Sequence, residues 1–325
     1  MKTLITPIAL VAAAAALVAG HSLAARQSLT PGSHTVAVRH DGRFRTAIVV
    51  VPPHSRRGKP LPLVVNFHGG GSNAAGEESF SGMDALASRA GFIVVYPNGT
   101  GILPNRLLTW NAGTCCGYAA AHDVDDVGFT LALLDKIERQ ISVDPRRVFA
   151  TGMSNGAMMA YRLGVEASTR IAAIAPVSGG MVVTSFHPSR PVPVMHFHSI
   201  DDPRAPYAGG LGPPFPGTNH REQHPSIDAV ISAWVAFDGC PTAAHVGGTL
   251  VGAAGSANEG ETATRYTYAP CRRAAEVVLW KLTGSGHVWP GGKQDVNEQF
   301  LGRPTTIIDA STQIWRFFQR HPLPR

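Results

Sequence analysis

No block of five or more lysines and arginines occurs in the 325 residues, and the densest cationic patch is Arg56-Arg57-Gly58-Lys59. With 28 Lys and Arg against 22 Asp and Glu, the formal charge is only +6. Nucleic-acid affinity grows with the number of phosphates a basic face neutralises, so no nucleic-acid partner is expected. Charge of either sign is sparse, at 15% of residues. Self-repulsion is therefore too weak to hold the chain unfolded, and a hydrophobic content of 44% allows a large buried core. Aromatic residues are few, at 7%. Internal repeats and sustained heptads are absent, which excludes solenoids and coiled coils. No charged or Ser-rich linker divides the chain. The 35 Gly and 25 Pro, about 18% of residues, exceed the average but stay below low-complexity levels of roughly 25–30%. These features describe a folded, loop-rich protein.

The apolar run from Leu4 to Val18, behind Lys2 and ahead of Ser22-Leu23-Ala24, is short and Ala-rich for a membrane span. A basic start, an apolar middle and small residues before the break fit a secretory signal peptide over residues 1–24. The expectation is a secreted chain, extracellular or periplasmic, with no stable membrane anchor and a single domain over 25–325. Losing Lys2 lowers its formal charge to +5.

An oxidising compartment gives the four cysteines a structural reading. Cys240 and Cys271 flank a polar, Gly-rich stretch, and a bridge between them would close a loop of about 32 residues, stabilising by roughly 3–4 kcal/mol. Cys115 and Cys116 are adjacent. Neighbouring Cα atoms stand about 3.8 Å apart, below the usual disulfide range, so the sequence leaves open whether they bridge each other or pair elsewhere.

From residue 34 onward, short alternating patterns (34–40, 43–51) precede a continuous apolar run at 61–67, the mark of a strand buried on both faces. A helix is expected over 78–90 and a strand over 91–96. A second helix lies behind Asp123, Asp125 and Asp126, with Val127, Leu131, Leu134, Ile137 and Ile141 at helical spacing. Strands over 147–151, 171–177, 192–198 and 276–282 alternate with helices over 156–167, 226–237 and 306–320. Apolar strands alternating with amphipathic helices predict an α/β fold, a mostly parallel sheet covered on both faces. Such sheets carry their chemistry just past the C-terminal ends of the strands.

Three strand ends carry suitable residues. Gly152-Met153-Ser154-Asn155-Gly156 follows one strand and opens a helix, a turn that lifts the Ser154 hydroxyl above the sheet as a nucleophile. Asp202 follows the strand ending at His198 and is the expected acid, with Asp201 as its rival one residue away. His287, in Gly284-Ser285-Gly286-His287-Val288-Trp289-Pro290-Gly291-Gly292, sits in a loop and is the expected general base. The chain order Ser154, Asp202, His287 is that of the α/β-hydrolase arrangement. After the strand at 61–67 comes His68-Gly69-Gly70-Gly71, whose backbone N–H groups suit a developing oxyanion; Gly70 is assigned this role together with the N–H of Asn155.

Taken together, His68-Gly69-Gly70-Gly71, Trp110-Asn111 with Cys115-Cys116, Val124-Asp125-Asp126-Val127-Gly128-Phe129, the Ser154 turn and the His287 loop resemble the secreted polyhydroxybutyrate depolymerase-like esterases, a family that includes feruloyl and acetylxylan esterases. The resemblance covers roughly residues 40 to 320. It implies the α/β-hydrolase fold and a Ser-Asp-His ester hydrolase without cofactor, with the roles falling on Ser154, Asp202 and His287. One departure is His198-Ser199-Ile200-Asp201-Asp202 where the family usually has His-Gly-x-x-Asp.

Trp110, Tyr207 and Trp289 are expected at the catalytic rim as substrate contacts, and the Gly- and Pro-rich segment 203–225, with Phe215, as a substrate-facing loop. Asp125 and Asp126 read as helix-start residues. The pairs His196/His198 and His220/His224 lack a third ligand nearby, so no metal is expected. The expected partner is an ester: a hydroxycinnamoyl or acetyl ester of plant polysaccharide, or a polyhydroxyalkanoate. No residues remain here for a separate polymer-binding domain, which favours oligomers or small soluble esters. A polyhydroxybutyrate depolymerase proper, a peptidase on the same fold, and a secreted binding protein with a decayed triad are the alternatives.

Overall fold

Leu61–Phe67 is a strand in which all seven residues are buried, as a run apolar on both faces requires. A computed structural model describes residues 28–53, 59–215 and 221–324; the expected leader and Arg56-Arg57 lie outside the described residues. Around that strand forms a ten-stranded sheet built from β1 (Gly32–His40), β2 (Arg43–Val51), β3 (Leu61–Phe67), β4 (Ile93–Pro97), β5 (Val143–Met153), β6 (Ile174–Val177), β7 (Val194–Ser199), β10 (His245–Val251), β11 (Thr262–Tyr268) and β12 (Val277–Thr283). β8 (Gly210–Leu211) and β9 (Gln223–His224) form a separate two-stranded ribbon. The order across the large sheet is β1-β2-β4-β3-β5-β6-β7-β12-β11-β10. The block from β4 to β12 is parallel, and two antiparallel strands extend it at either side.

Eight helices accompany these strands among the described residues: α1 (Ala74–Ser81), α2 (Met83–Ala90), α3 (Gly117–Ala121), α4 (Asp126–Glu138), α5 (Asn155–Glu166), α6 (Ile227–Asp238), α7 (Glu298–Leu301) and α8 (Ala310–Arg320). On one face Leu133, Leu134 and Ile137 of α4, Met159 and Leu163 of α5 and Val230 and Trp234 of α6 join a core with Val65, Phe67 and Ala150. On the other, Met83 and Ala87 of α2 and Ile314, Phe317 and Phe318 of α8 pack on Val94, Phe149 and Phe197. Helices thus cover both faces, the arrangement expected of an α/β fold.

One expectation changes. The single helix expected over 78–90 is two helices, broken at Gly82, whose φ of +59° caps α1 and begins α2. The hairpin β10–β11 gave no sequence signal because β10 is exposed along almost its whole length, so no apolar alternation marks it. In the structure Cys240 is paired with Cys271 and Cys115 with Cys116.

Candidate active site

Because β3, β5, β7 and β12 run parallel, their following loops emerge along one edge of the sheet. These four loops carry the Gly-rich segment, Ser154, Asp202 and His287. Ser154 occupies the turn between β5 and α5 with φ 57° and ψ −120°, an uncommon backbone conformation for a residue with a side chain. The flanking glycines permit it. A Cβ on Gly152 would stand 2.6 Å from the Phe67 carbonyl oxygen, and one on Gly156 would run into that same carbonyl. The Ser154 N–H donates to Val177 O at 2.9 Å, fixing the turn to β6.

Asp202 is buried at the end of β7, and its Oδ2 lies 2.8 Å from Nδ1 of His287. Its Oδ1 accepts the N–H groups of Arg204 and Ala205, both at 2.8 Å. Burial alone would raise this carboxyl, but the charge and hydrogen bond of His287, then His198 and the Ala205 N–H, outweigh it, and the net displacement is downward. Asp201, the rival, points elsewhere: its Oδ2 accepts the N–H of Gly284 at 2.7 Å.

β12 is separated from β5 by β7 and β6, about 14 Å at three strand spacings. The His287 loop narrows that gap by leaning back over the sheet edge as far as the end of β6. Ser199 Oγ donates to Ser285 O at 2.5 Å, and Ser178 Oγ, just past β6, donates to Val288 O at 3.3 Å. His287 is therefore drawn across β7 toward the turn that carries Ser154. Its Nδ1 is committed to Asp202, which leaves Nε2 as the nitrogen available to a hydroxyl.

The Gly-rich loop lies directly against the Ser154 turn: a Cβ on Gly69 would stand 3.5 Å from Ser154 Cβ, and one on Gly70 3.6 Å from Asn155 Cβ. The Gly69 carbonyl accepts from His68 Nδ1 at 2.8 Å and from the Ser72 N–H at 3.1 Å. In a trans peptide the N–H points opposite to the C=O, so anchoring that carbonyl turns the Gly70 N–H the other way. His68 is buried, which lowers it to about 4 and keeps it neutral; its Nε2 accepts the Gly99 N–H at 3.0 Å.

Trp110 and Trp289, expected as substrate contacts, are instead fully buried. Trp110 brackets the site from beneath: its Nε1 donates to His68 O at 3.0 Å, its N–H to Asn155 Oδ1 at 2.7 Å, and its carbonyl accepts Asn155 Nδ2 at 3.0 Å. Trp289 donates to Ser311 Oγ at 3.0 Å inside the core. The Tyr207 ring is also buried, with its hydroxyl bonded to Asp228 and the Lys281 ammonium 4.6 Å from its centroid. None of the three has an aromatic face open to a substrate. Phe215 does approach the site, its Cε1 3.8 Å from where a Gly70 Cβ would stand.

Asp125 caps α4 by accepting the Gly128 N–H at 2.8 Å. Asp126 does more than start a helix, since it pairs in the core with Arg45 at 2.6 Å and accepts the Asn111 N–H at 2.7 Å. His220 lies outside the described residues. The residues that sequence reasoning missed, Arg45, Ser178 and the side chain of Asn155, act through long-range contacts that no local pattern marks.

A mostly parallel sheet covered on both faces, with the Ser154 turn, the Asp202–His287 pair and a Gly-rich loop at its C-terminal edge, has the α/β-hydrolase fold. The family model described as esterase PHB depolymerase matches residues 46–266, and the chain belongs to that family. It is 28% identical over 253 residues to a bifunctional acetylxylan esterase/xylanase of Neocallimastix patriciarum, covering 77% of this chain and 32% of the relative. It is 29% identical over 274 residues to feruloyl esterase B of Piromyces equi, covering 79% and 45% respectively. The chain thus spans a third to a half of the length of these relatives. In fold it is similar to an acetyl xylan esterase from Aspergillus awamori, with a TM-score of 0.53, 16% identity, and coverage of 79% of this chain and 94% of that one.

Proposed function

We propose that this protein is a secreted serine esterase with Ser154 as nucleophile, His287 as general base, Asp202 as its acid, and the N–H groups of Gly70 and Asn155 as the oxyanion hole, all in one domain over 25–325. The observation that carries the reading is the 2.8 Å contact of His287 Nδ1 with Asp202, made by a loop that leans toward the Ser154 turn. Ser154 Oγ attacks the ester carbonyl while Nε2 of His287 takes the hydroxyl proton, and Asp202 stabilises the resulting imidazolium. Negative charge collects on the former carbonyl oxygen and is met by the two N–H groups, each worth about 3–4 kcal/mol of barrier. The tetrahedral species collapses, the alcohol leaves with the proton from His287, and an acyl group remains on Ser154. Water, deprotonated by the same imidazole, releases the acid.

The substrate class is a carboxylic ester of extracellular material, feruloyl or acetyl esters of plant polysaccharide ahead of polyhydroxyalkanoate. Family membership and the relatives named as feruloyl and acetylxylan esterases support it. Secretion rests on the leader pattern at residues 1–24. The test is a rate panel on methyl ferulate, acetylated xylan, short acyl p-nitrophenyl esters and a polyhydroxybutyrate film. Hydrolysis of the first two above the film, abolished by Ser154→Ala, is expected; attack on the film alone, or activity that survives Ser154→Ala, would overturn it.

A further inference from the structure

Behind the acid runs a chain of buried hydrogen bonds that the reaction steps above leave unused. Nε2 of His198 lies 2.7 Å from the carbonyl oxygen of Ala205. A carbonyl only accepts, so this nitrogen carries the proton. A neutral ring then has Nδ1 as an acceptor, and Nε2 of His196, 3.0 Å away, must be the donor. By the same step Nδ1 of His196 accepts from the Tyr161 hydroxyl, also at 3.0 Å. One backbone carbonyl thus dictates two tautomers in series. Tyr161, His196 and His198 are all fully buried, and burial holds both imidazoles below the ordinary histidine range.

The output of the chain is the Asp202–Ala205 turn. The His198 Nε2–H that grips Ala205 O is also 3.4 Å from Asp202 Oδ2, the oxygen that meets His287. Ala205 in turn gives its N–H to Asp202 Oδ1. His198 therefore fastens the peptide that holds one carboxylate oxygen and stands beside the other.

We propose that His198 is the positioning residue of the catalytic acid: its Nε2–H keeps the Asp202–Ala205 turn closed, and His196 and Tyr161 select the tautomer that allows it. The inference rests on the reading of Asp202 and His287 as acid and base. It accounts for a histidine buried beside the acid where a core position would ordinarily take an apolar residue.

The test compares His198→Gln with His198→Asn. The Gln amide nitrogen falls near the position of the His Nε2, whereas that of Asn falls near Nδ1, facing His196 instead of Ala205. With a p-nitrophenyl ester, His198→Gln is expected to keep kcat within about fivefold, and His198→Asn to lose about 100-fold in kcat at unchanged KM, the scale of a misplaced catalytic group. The low-field proton resonance of the His287–Asp202 hydrogen bond should persist in the Gln variant and move or vanish in the Asn variant. Equal kcat in both variants, whether near wild type or equally reduced, would overturn the proposal. Failure of the underlying reading looks different: Asp202→Asn and His287→Ala would hydrolyse like wild type whatever stands at position 198.

Discussion

Nδ1 of His287 and Oδ2 of Asp202 stand 2.8 Å apart although 85 positions separate them in the chain. Parallel strands β7 and β12 are neighbours, so both residues start from the same edge of the sheet, and the serine bonds at Ser199 and Ser178 pull the longer loop into place.

This pairing separates Asp202 from Asp201. Asp202→Asn should lower kcat about 10⁴-fold, because an amide no longer enforces the tautomer with a proton on Nδ1. Asp201→Asn, at a carboxylate that accepts the Gly284 N–H rather than facing His287, should stay within a few-fold of wild type. Steady-state kinetics on the two variants checks both; a reversed order of effects would reassign the acid.

Gly156→Ala should destabilise the fold by about 3 kcal/mol or more, since the new methyl group has only the backbone of Phe67 and His68 to displace. Denaturant midpoints at constant m-value measure this. Gly42→Ala makes an informative contrast: that site has open space but a φ of +71°, so its smaller cost, about 1 kcal/mol, comes from conformation alone.

The architecture was legible to the extent that apolar pattern determines it. β3 appears with the boundaries its apolar run defines, and Asp202 and His287, which the sequence places at two strand ends, lie in contact. What escaped was whatever depends on contacts between distant segments. Trp110 looks like a rim aromatic in a Gly- and Pro-rich loop, yet it is a buried bracket because Asn155 and His68 offer it three hydrogen bonds. His196 and His198 look like a truncated metal pair, and only the positions of Ala205 and Tyr161 reveal their orientation.

Glu77 gives the stability an unusual pH slope. It is buried in α1, and burial, opposed only by a hydrogen bond from Asn66, pushes its carboxyl up to about 8 from an ordinary value of 4.5. The native state keeps a proton there that the unfolded chain releases, so stability falls as pH rises from about 4.5 toward about 8 and then levels off. Glu77→Gln mimics the protonated form. It should equal wild type near pH 4, exceed it by a few kcal/mol near pH 8, and show a flatter midpoint-against-pH curve in urea. Parallel curves for the two proteins would contradict this.

Covalent labelling of the nucleophile addresses the central claim most directly. A fluorophosphonate probe followed by peptide mass spectrometry should add one group, on the peptide containing Ser154, with labelling slowed by several orders of magnitude in His287→Ala and absent in Ser154→Ala. A folded, ester-hydrolysing protein that carries no adduct on Ser154, or whose labelling is indifferent to His287, would contradict it.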